Sequence, residues 1–267
     1  MDQAASGSLF AEERKKHIVE AVRSRRKVLV SELVERFDVS PATVRNDLRE
    51  LERQGVLRRT HGGAIDAELE PPKAGYEPDN AAKVAVRLAQ KRAIARQALA
   101  FVEPGDIIAL DSGTTMLEFA LLLEHARDLT VVACDLAIAR CLEPFEGVNV
   151  IVVGGGLRRG HSCTTGPLAV QLLQELGVDK LFLATNHLSP EKGCTTPNIA
   201  QAEVKKAMIA IASRVYLLCD SAKFGTNSMV QFCPVSELDA LITDAEADEE
   251  ALARFRKAGC ETIVAAV

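Results

Sequence analysis

A chain of 267 residues with 48% hydrophobic, 26% charged and only 4% aromatic residues has the composition of a globular protein of one large or two ordinary domains, its core filled by aliphatic side chains. "MDQAASGSLF" has no basic start, and no run of about 18 uncharged apolar residues follows anywhere, so neither a signal peptide nor a membrane span is expected. The net charge of −5 would speak against nucleic acid, but residues 14–63 hold 13 Lys and Arg against 7 Asp and Glu while the remainder holds 19 against 30, so a basic amino-terminal module is joined to an acidic body.

In chain order, residues 12–24 place Ile18 and Val22 at helical spacing. Ser31 reads as the N-cap of a short helix over "ELVERF", and Asp38-Val39 as a tight connection. Ser40 caps a third helix with Pro41 in its first turn, running to about Gln54, where Gly55 supplies the left-handed position. "VLRR" predicts a short strand and "THGGA" a turn. Residues 66–80, rich in Pro, Gly and acid, read as a linker. A helix is expected over 81–102. Beyond it "DIIALD", "LTVVACD", "VNVIVVGG", "DKLFLAT", "RVYLLCD", "LDALITD" and "ETIVAAV" alternate with helical patterns. Continuous apolar runs of this kind are strands buried on both faces, so the body is expected to be α/β, a doubly wound and mostly parallel sheet.

On a wheel, residues 41–54 put Val44, Leu48 and Leu51 on one face and Ala42, Arg45, Asn46, Arg49 and Arg53 on the other. The first face can pack on the two preceding helices. The second has what a recognition helix needs: Arg for guanine O6 and N7, Asn for adenine N6 and N7, and a small residue that permits close approach to the major groove. Arg23, Arg25, Arg26, Lys27, Arg58 and Arg59 are candidates for the phosphate backbone, and the strand and turn through His61 for a wing. A solvated Arg-rich surface is the blander alternative. Asp47, at the edge of the apolar stripe, reads as a structural partner for an Arg.

"ERKKHIVEAV…VSELVERFDVSPATVRNDLRELERQGVLRRTHGGA" resembles the amino-terminal domain of DeoR-family bacterial transcriptional regulators from Glu13 to Ile65. The resemblance implies a winged helix-turn-helix with Ser40, Thr43, Arg45 and Asn46 on its DNA side, and a repressor acting on double-stranded operator DNA.

In the body, Asp111 ends a strand, and Ser112, Gly113, Thr114 and Thr115 open a helix whose free N–H groups and hydroxyls suit a phosphate; a plain N-cap is the alternative. "VVGGGLRRG" brings Gly155 and Gly156 after a strand, where backbone can approach something closely, and without GxGxxG no dinucleotide is indicated. Asn186 and His187 follow one strand, Glu203 lies on a helix opened by "CTTPNIAQAEVKKAM", and Asp220 and Lys223 follow another strand. Ligands of open parallel sheets bind beyond such carboxyl ends. These segments, with "TGPLA" and "DSAKFG", resemble the same family's effector-sensing domain, similar in fold to ribose-5-phosphate isomerase. The resemblance implies that 111–115 hold a phosphate and that Lys223 contacts a phosphorylated sugar or polyol. The chain departs from the family at "ACDLA" and "DKLFLATNHL", where sugar identity would be read.

The expected division is 1–65 for DNA binding, 66–80 linker and 81–267 for effector sensing, in a cytoplasmic homo-oligomer, dimer or tetramer, with no cofactor, no metal and no catalytic residue. Two rival readings stand beside it. One is a sugar-phosphate isomerase-like enzyme with an accessory DNA module, drawing on Asp111, Asp220, Glu203 and Lys223 for proton transfer. The other is a redox sensor using the seven Cys, which are scattered without a CxxC pair and are expected to be packing residues, Cys163 and Cys194 among them.

Overall fold

The computed structural model describes residues 11–25, 27–60, 62–66 and 77–266. They divide into two compact units, Asn80 and the residues just before it falling with the larger carboxy-terminal one.

In the first unit, α1 (Ala11–Arg25) is followed by β1 (Lys27–Leu29), α2 (Val30–Phe37), α3 (Pro41–Arg53), β2 (Leu57–Thr60) and β3 (Gly63–Asp66). Ile18 and Val22 of α1 meet Leu33 and Phe37 of α2 and Val44, Leu48 and Leu51 of α3 in one core. The strands form an antiparallel sheet of order β1-β3-β2. This is a helix-turn-helix with a wing, and "THGGA" is more than the expected turn, since Gly63 and Ala64 pair with both neighbours. A Cβ at Gly63 would run into the Val28 carbonyl, so only glycine lets β3 lie this close to β1. The short β1 also corrects the start of α2. Pairing with β3 holds Leu29 extended, at φ −100° and ψ 147°, and makes it the N-cap. Ser31 therefore sits inside the first turn, and Glu32 accepts the Leu29 N–H at 3.2 Å. The start of α3 is as expected: Ser40 Oγ accepts the Thr43 N–H at 3.1 Å, Pro41 occupies the first position, and Gly55 turns the chain at φ +70°.

The expected helix over 81–102 is not continuous: α4 (Asn80–Lys83), of which Ala81–Lys83 fall with the first unit, and α5 (Leu88–Leu99) of the second unit are separated at Arg87. Arg87 stands at φ +52°, and its side chain reaches Asp220 at 3.1 Å, Asp244 at 3.1 Å and Glu246 at 2.9 Å.

From there β4 (Ile107–Leu110), α6 (Thr114–Leu121), β5 (Leu129–Ala133), α7 (Leu136–Leu142) and β6 (Val148–Val152) build one half of the sheet. A hairpin, β7 (Gly156–Arg158) and β8 (Cys163–Thr165), leads through α8 (Pro167–Gln174) to β9 (Val178–Leu183). Next come β10 (His187–Ser189), β11 (Gly193–Thr196), α9 (Ile199–Ala210), β12 (Ala212–Leu218), β13 (Val230–Cys233), β14 (Ala240–Asp244), α10 (Glu249–Lys257) and β15 (Glu261–Ala265). Each of the seven predicted apolar runs supplies one strand of a wholly parallel sheet of order β15-β14-β12-β9-β4-β5-β6.

Ile94 of α5, Phe119 of α6 and Ile138 of α7 cover one face. Leu173 of α8, Met208 of α9 and Phe255 of α10 cover the other. The unit is thus doubly wound, and the strand order reverses between β4 and β9. That reversal opens a crevice at their carboxyl ends. The hairpin and the small antiparallel sheet β10-β11-β13, neither of them expected, follow the carboxyl ends of β6, β9 and β12 and wall this end of the sheet.

Candidate functional sites

In the first unit α3 presents Ala42, Arg45, Asn46, Arg49 and Arg53 to solvent while Val44, Leu48 and Leu51 are buried. The Arg49 guanidinium donates to Asn46 Oδ1 at 2.8 Å, so these two side chains are ordered together on the exposed face. Ser40 is exposed, and Thr43, half-buried, shares a 2.9 Å hydroxyl contact with it. The helix is fixed from beneath by a buried fork: Arg14 Nε and Nη2 donate to the two oxygens of Asp47 at 2.6 and 3.2 Å. Lys15, also buried, adds Glu50 at 2.9 Å. Asp47 is therefore an anchor, with Arg14 as the Arg that the wheel could not name.

On the wing, Arg58 is half-buried, and Arg59 is exposed with its N–H bonded to Glu52 at 2.9 Å. Arg23 and Arg25 are exposed at the end of α1. Arg26 and His61 lie outside the described residues, as does the side chain of Lys27.

In the second unit the crevice between β4 and β9 is lined by Asp111, buried at the end of β4. Its carboxylate takes the Ala184 N–H at 2.9 Å and an ion pair from Lys205, whose ammonium also donates to the Ala184 carbonyl at 2.9 Å. Lys205 is only 2% exposed. Ser112, next in the chain, accepts from Gln201 Nε2 at 3.1 Å. Gln201 and Lys205 are four apart on α9 and share its inward face; Glu203, between them, points to solvent. The expectation that Glu203 belongs to the site is corrected by that half-turn.

Gly113, at φ +117°, is the N-cap of α6, and no side chain caps the helix. Thr114 and Thr115 sit half-buried in its first turn. The Gly113 N–H is already taken by Asp135 at 3.2 Å. Burial raises the Asp135 carboxyl above its ordinary value, against the lowering effect of N–H bonds from Ala137, Gly113 and Ile138. An anion at this helix start would therefore rely on the following N–H groups and the Thr hydroxyls.

The expected glycines serve a different neighbour. A Cβ at Gly155, which is at φ +149°, would lie 2.7 Å from the Thr165 carbonyl. The close approach is to the chain's own β7–β8 hairpin, with Gly156 paired to Thr165 inside it.

Arg158, at the end of β7, donates to Gln201 Oε1 at 2.9 Å and to Glu77 at 2.7 Å. Asn186 donates to the other Glu77 oxygen at 2.8 Å, and His161 Nδ1 stands 3.8 Å from it. Asn186 thus joins the Glu77 and Arg158 group. His187 instead engages Thr226 at 2.5 Å within the small sheet wall. Asp220 is buried against Arg87, one strand away from β9, and Lys223 lies half-buried on the turn that follows β12. Among the described residues, no hydrogen bond or ion pair joins Asp220 or Lys223 to Asp111, Ser112, Gln201 or Lys205.

Burial pushes Cys134 and Cys260 up to about 12 and holds Cys194 and Cys219 well above the ordinary thiol value, so these four are disfavoured as thiolates. Sequence reasoning missed Glu77, Asp135, Arg158 and Gln201. Only Asp135, following a buried strand just as Asp111 and Asp220 do, carried a signal that could have been read.

Comparison with known proteins joins these two sites to a family. The DeoR-like helix-turn-helix domain matches residues 14–68, and the DeoR C terminal sensor domain matches 86–245. The HTH-type transcriptional regulator GlpR of Haloferax volcanii is 35% identical over 94% of this chain and 96% of its own length. The transcriptional repressor AccR of Agrobacterium fabrum is 35% identical over 88% of this chain and 90% of its own length. Among solved structures, a D-ribose-5-phosphate isomerase in complex with phospho-erythronic acid is similar over 50% of this chain and 52% of that one, at 17% identity and a TM-score of 0.38.

Proposed function

The chain belongs to the DeoR family of DNA-binding transcriptional regulators, and from that premise we propose that it represses a carbohydrate-metabolism operon and is controlled by a phosphorylated sugar or polyol. The observation that carries the DNA half is the exposed Arg45, Asn46 and Arg49 face of a helix pinned from below by Arg14 and Asp47. The effector half is supported by the uncapped start of α6 at a sheet crevice, with Thr114 and Thr115 in its first turn, and by two cations tied to the residues just before it: Arg158 through Gln201 to Ser112, and Lys205 paired with Asp111. A phosphate fits that electrostatic setting. Lys223, on the turn beyond β12, is the cation we assign to the far end of such a ligand. A homo-oligomer in the cytoplasm presents two copies of α3 to repeated half-sites.

The experiment has two arms. Arg45→Ala is expected to cost about 1–3 kcal/mol at the operator while leaving non-specific DNA binding nearly intact; an equal loss on all sequences removes Arg45 from base reading. A thermal-shift screen of phosphorylated sugars and polyols is expected to stabilise the wild-type chain. With Lys223→Ala the operator still binds but the response to the stabilising compound is lost. No stabilisation by any phosphorylated compound would overturn the effector class.

A further inference from the structure

Glu77 comes from the segment read as linker, yet its side chain is only 6% exposed. Its two oxygens are held by the Arg158 guanidinium, the Asn186 amide and the neighbouring His161 ring. That is the donor set of a carboxylate or phosphate site: a guanidinium and an amide converging on one anion, in a pocket largely closed to water. The segment is seated by more than this one residue. Asn80 takes the Gly160 carbonyl with its N–H and the His161 carbonyl with its side-chain amide, both at 2.8 Å. Gly160, at φ +77°, leaves no room for a Cβ against the Asp79 carboxylate.

The pocket also communicates with the start of α6. Glu77, Arg158, Gln201 and Ser112 form one unbroken chain of hydrogen bonds. Arg158 is thus shared between the strap and the turn where an anion would sit.

We infer that Arg158, Asn186 and His161 form an anion subsite that the chain fills with its own Glu77 carboxylate, and that an anionic ligand arriving at Ser112–Thr115 competes with Glu77 for Arg158 and releases the 77–80 strap. The inference rests on the effector reading above and adds to it a built-in competitor. It also says where the ligand's differential affinity comes from: the strapped form offers Arg158 to Glu77, the released form offers it to the ligand. Because the strap leads back along the chain toward the DNA-reading unit, its release is the event that the effector would transmit.

The test uses the full-length chain. Inorganic phosphate is titrated calorimetrically into wild type, Glu77→Gln and the double variant Glu77→Gln/Arg158→Gln. Removing the internal competitor is expected to tighten phosphate by about tenfold, and the double variant is expected to lose that gain. Unchanged or weaker binding by Glu77→Gln overturns the inference. A second measurement needs no substitution: hydrogen exchange at residues 77–83 of the wild type speeds up as phosphate saturates, whereas unchanged or slower exchange counts against the strap.

Sugar phosphates separate this inference from the one beneath it. If they bind neither form while phosphate gains its tenfold in Glu77→Gln, the strap stands and the sugar reading falls. If they bind both forms equally well, the sugar reading stands and the strap falls.

Discussion

Truncating Arg14 to Ala would leave the Asp47 carboxylate buried with its two guanidinium bonds gone. Breaking one side of a buried pair typically costs about 3–5 kcal/mol, so Arg14→Ala is expected to lower the urea midpoint of the first unit by that equivalent and to weaken operator binding without touching DNA. Replacing both residues by apolar ones should cost much less. Asp244 carries a pH prediction. Burial alone would raise its carboxyl, but the Ser221 N–H and hydroxyl, the Glu246 N–H and Arg87 outweigh burial and hold it below the ordinary value. A depressed carboxylate contributes stability above its unfolded pKa of about 3.9, lost as pH falls through the lower folded value. Thermal melts should therefore show the second unit losing stability below about pH 4, and Asp244→Asn should flatten that acid limb. At this scale the sequence was only partly legible. Asp111 and Asn186 stood out because polar residues directly after apolar strands point into a crevice. Glu203 and Lys205 lie on the same helix, and which of them turns inward is set by packing against the sheet, which the sequence pattern of α9 alone does not fix. Glu77 was invisible, since a carboxylate in a Pro- and acid-rich stretch looks solvated until Arg158 folds over it.

Among the elements, α3 draws its start from one side chain. Ser40→Ala removes the acceptor of the Thr43 N–H and is expected to cost about 1 kcal/mol, read by denaturation of the full chain, with Ser40→Asp recovering most of it. In the wing, Gly63→Ala forces β3 off the Val28 carbonyl and should destabilise the first unit by more than the loss of the cap, measured the same way. The seven sheet strands were readable because burial on both faces leaves only apolar side chains, a pattern that no surface element imitates. β1 and the strands of the small antiparallel sheets, each three or four residues long, are too short to show a period. The break between α4 and α5 has no local signal: residues 81–102 read as helix throughout, and the carboxylates that hold the Arg87 side chain at the break lie more than 130 positions away.

Across the whole molecule, charge is divided between the ends of the chain, 13 basic against 7 acidic residues over 14–63 and 19 against 30 elsewhere. Phosphate contacts should therefore come from the first unit alone. Operator affinity is expected to fall linearly with salt on a double logarithmic plot, and Arg25→Gln should reduce the slope by about 0.9 if that residue neutralises one phosphate, as measured by fluorescence anisotropy. An unchanged slope would place Arg25 off the duplex. The sheet order has a further consequence for how the protein is made. Strand β4 pairs with β9, joining Ile108 to Lys180, so the centre of the sensor cannot close until the ribosome has delivered both, and such distant pairings form slowly. The core of the wing and its three helices is drawn from residues between Ile18 and Ala64. During synthesis the first unit can thus mature before the second is complete, and a chain still held on the ribosome would already display the exposed face of α3.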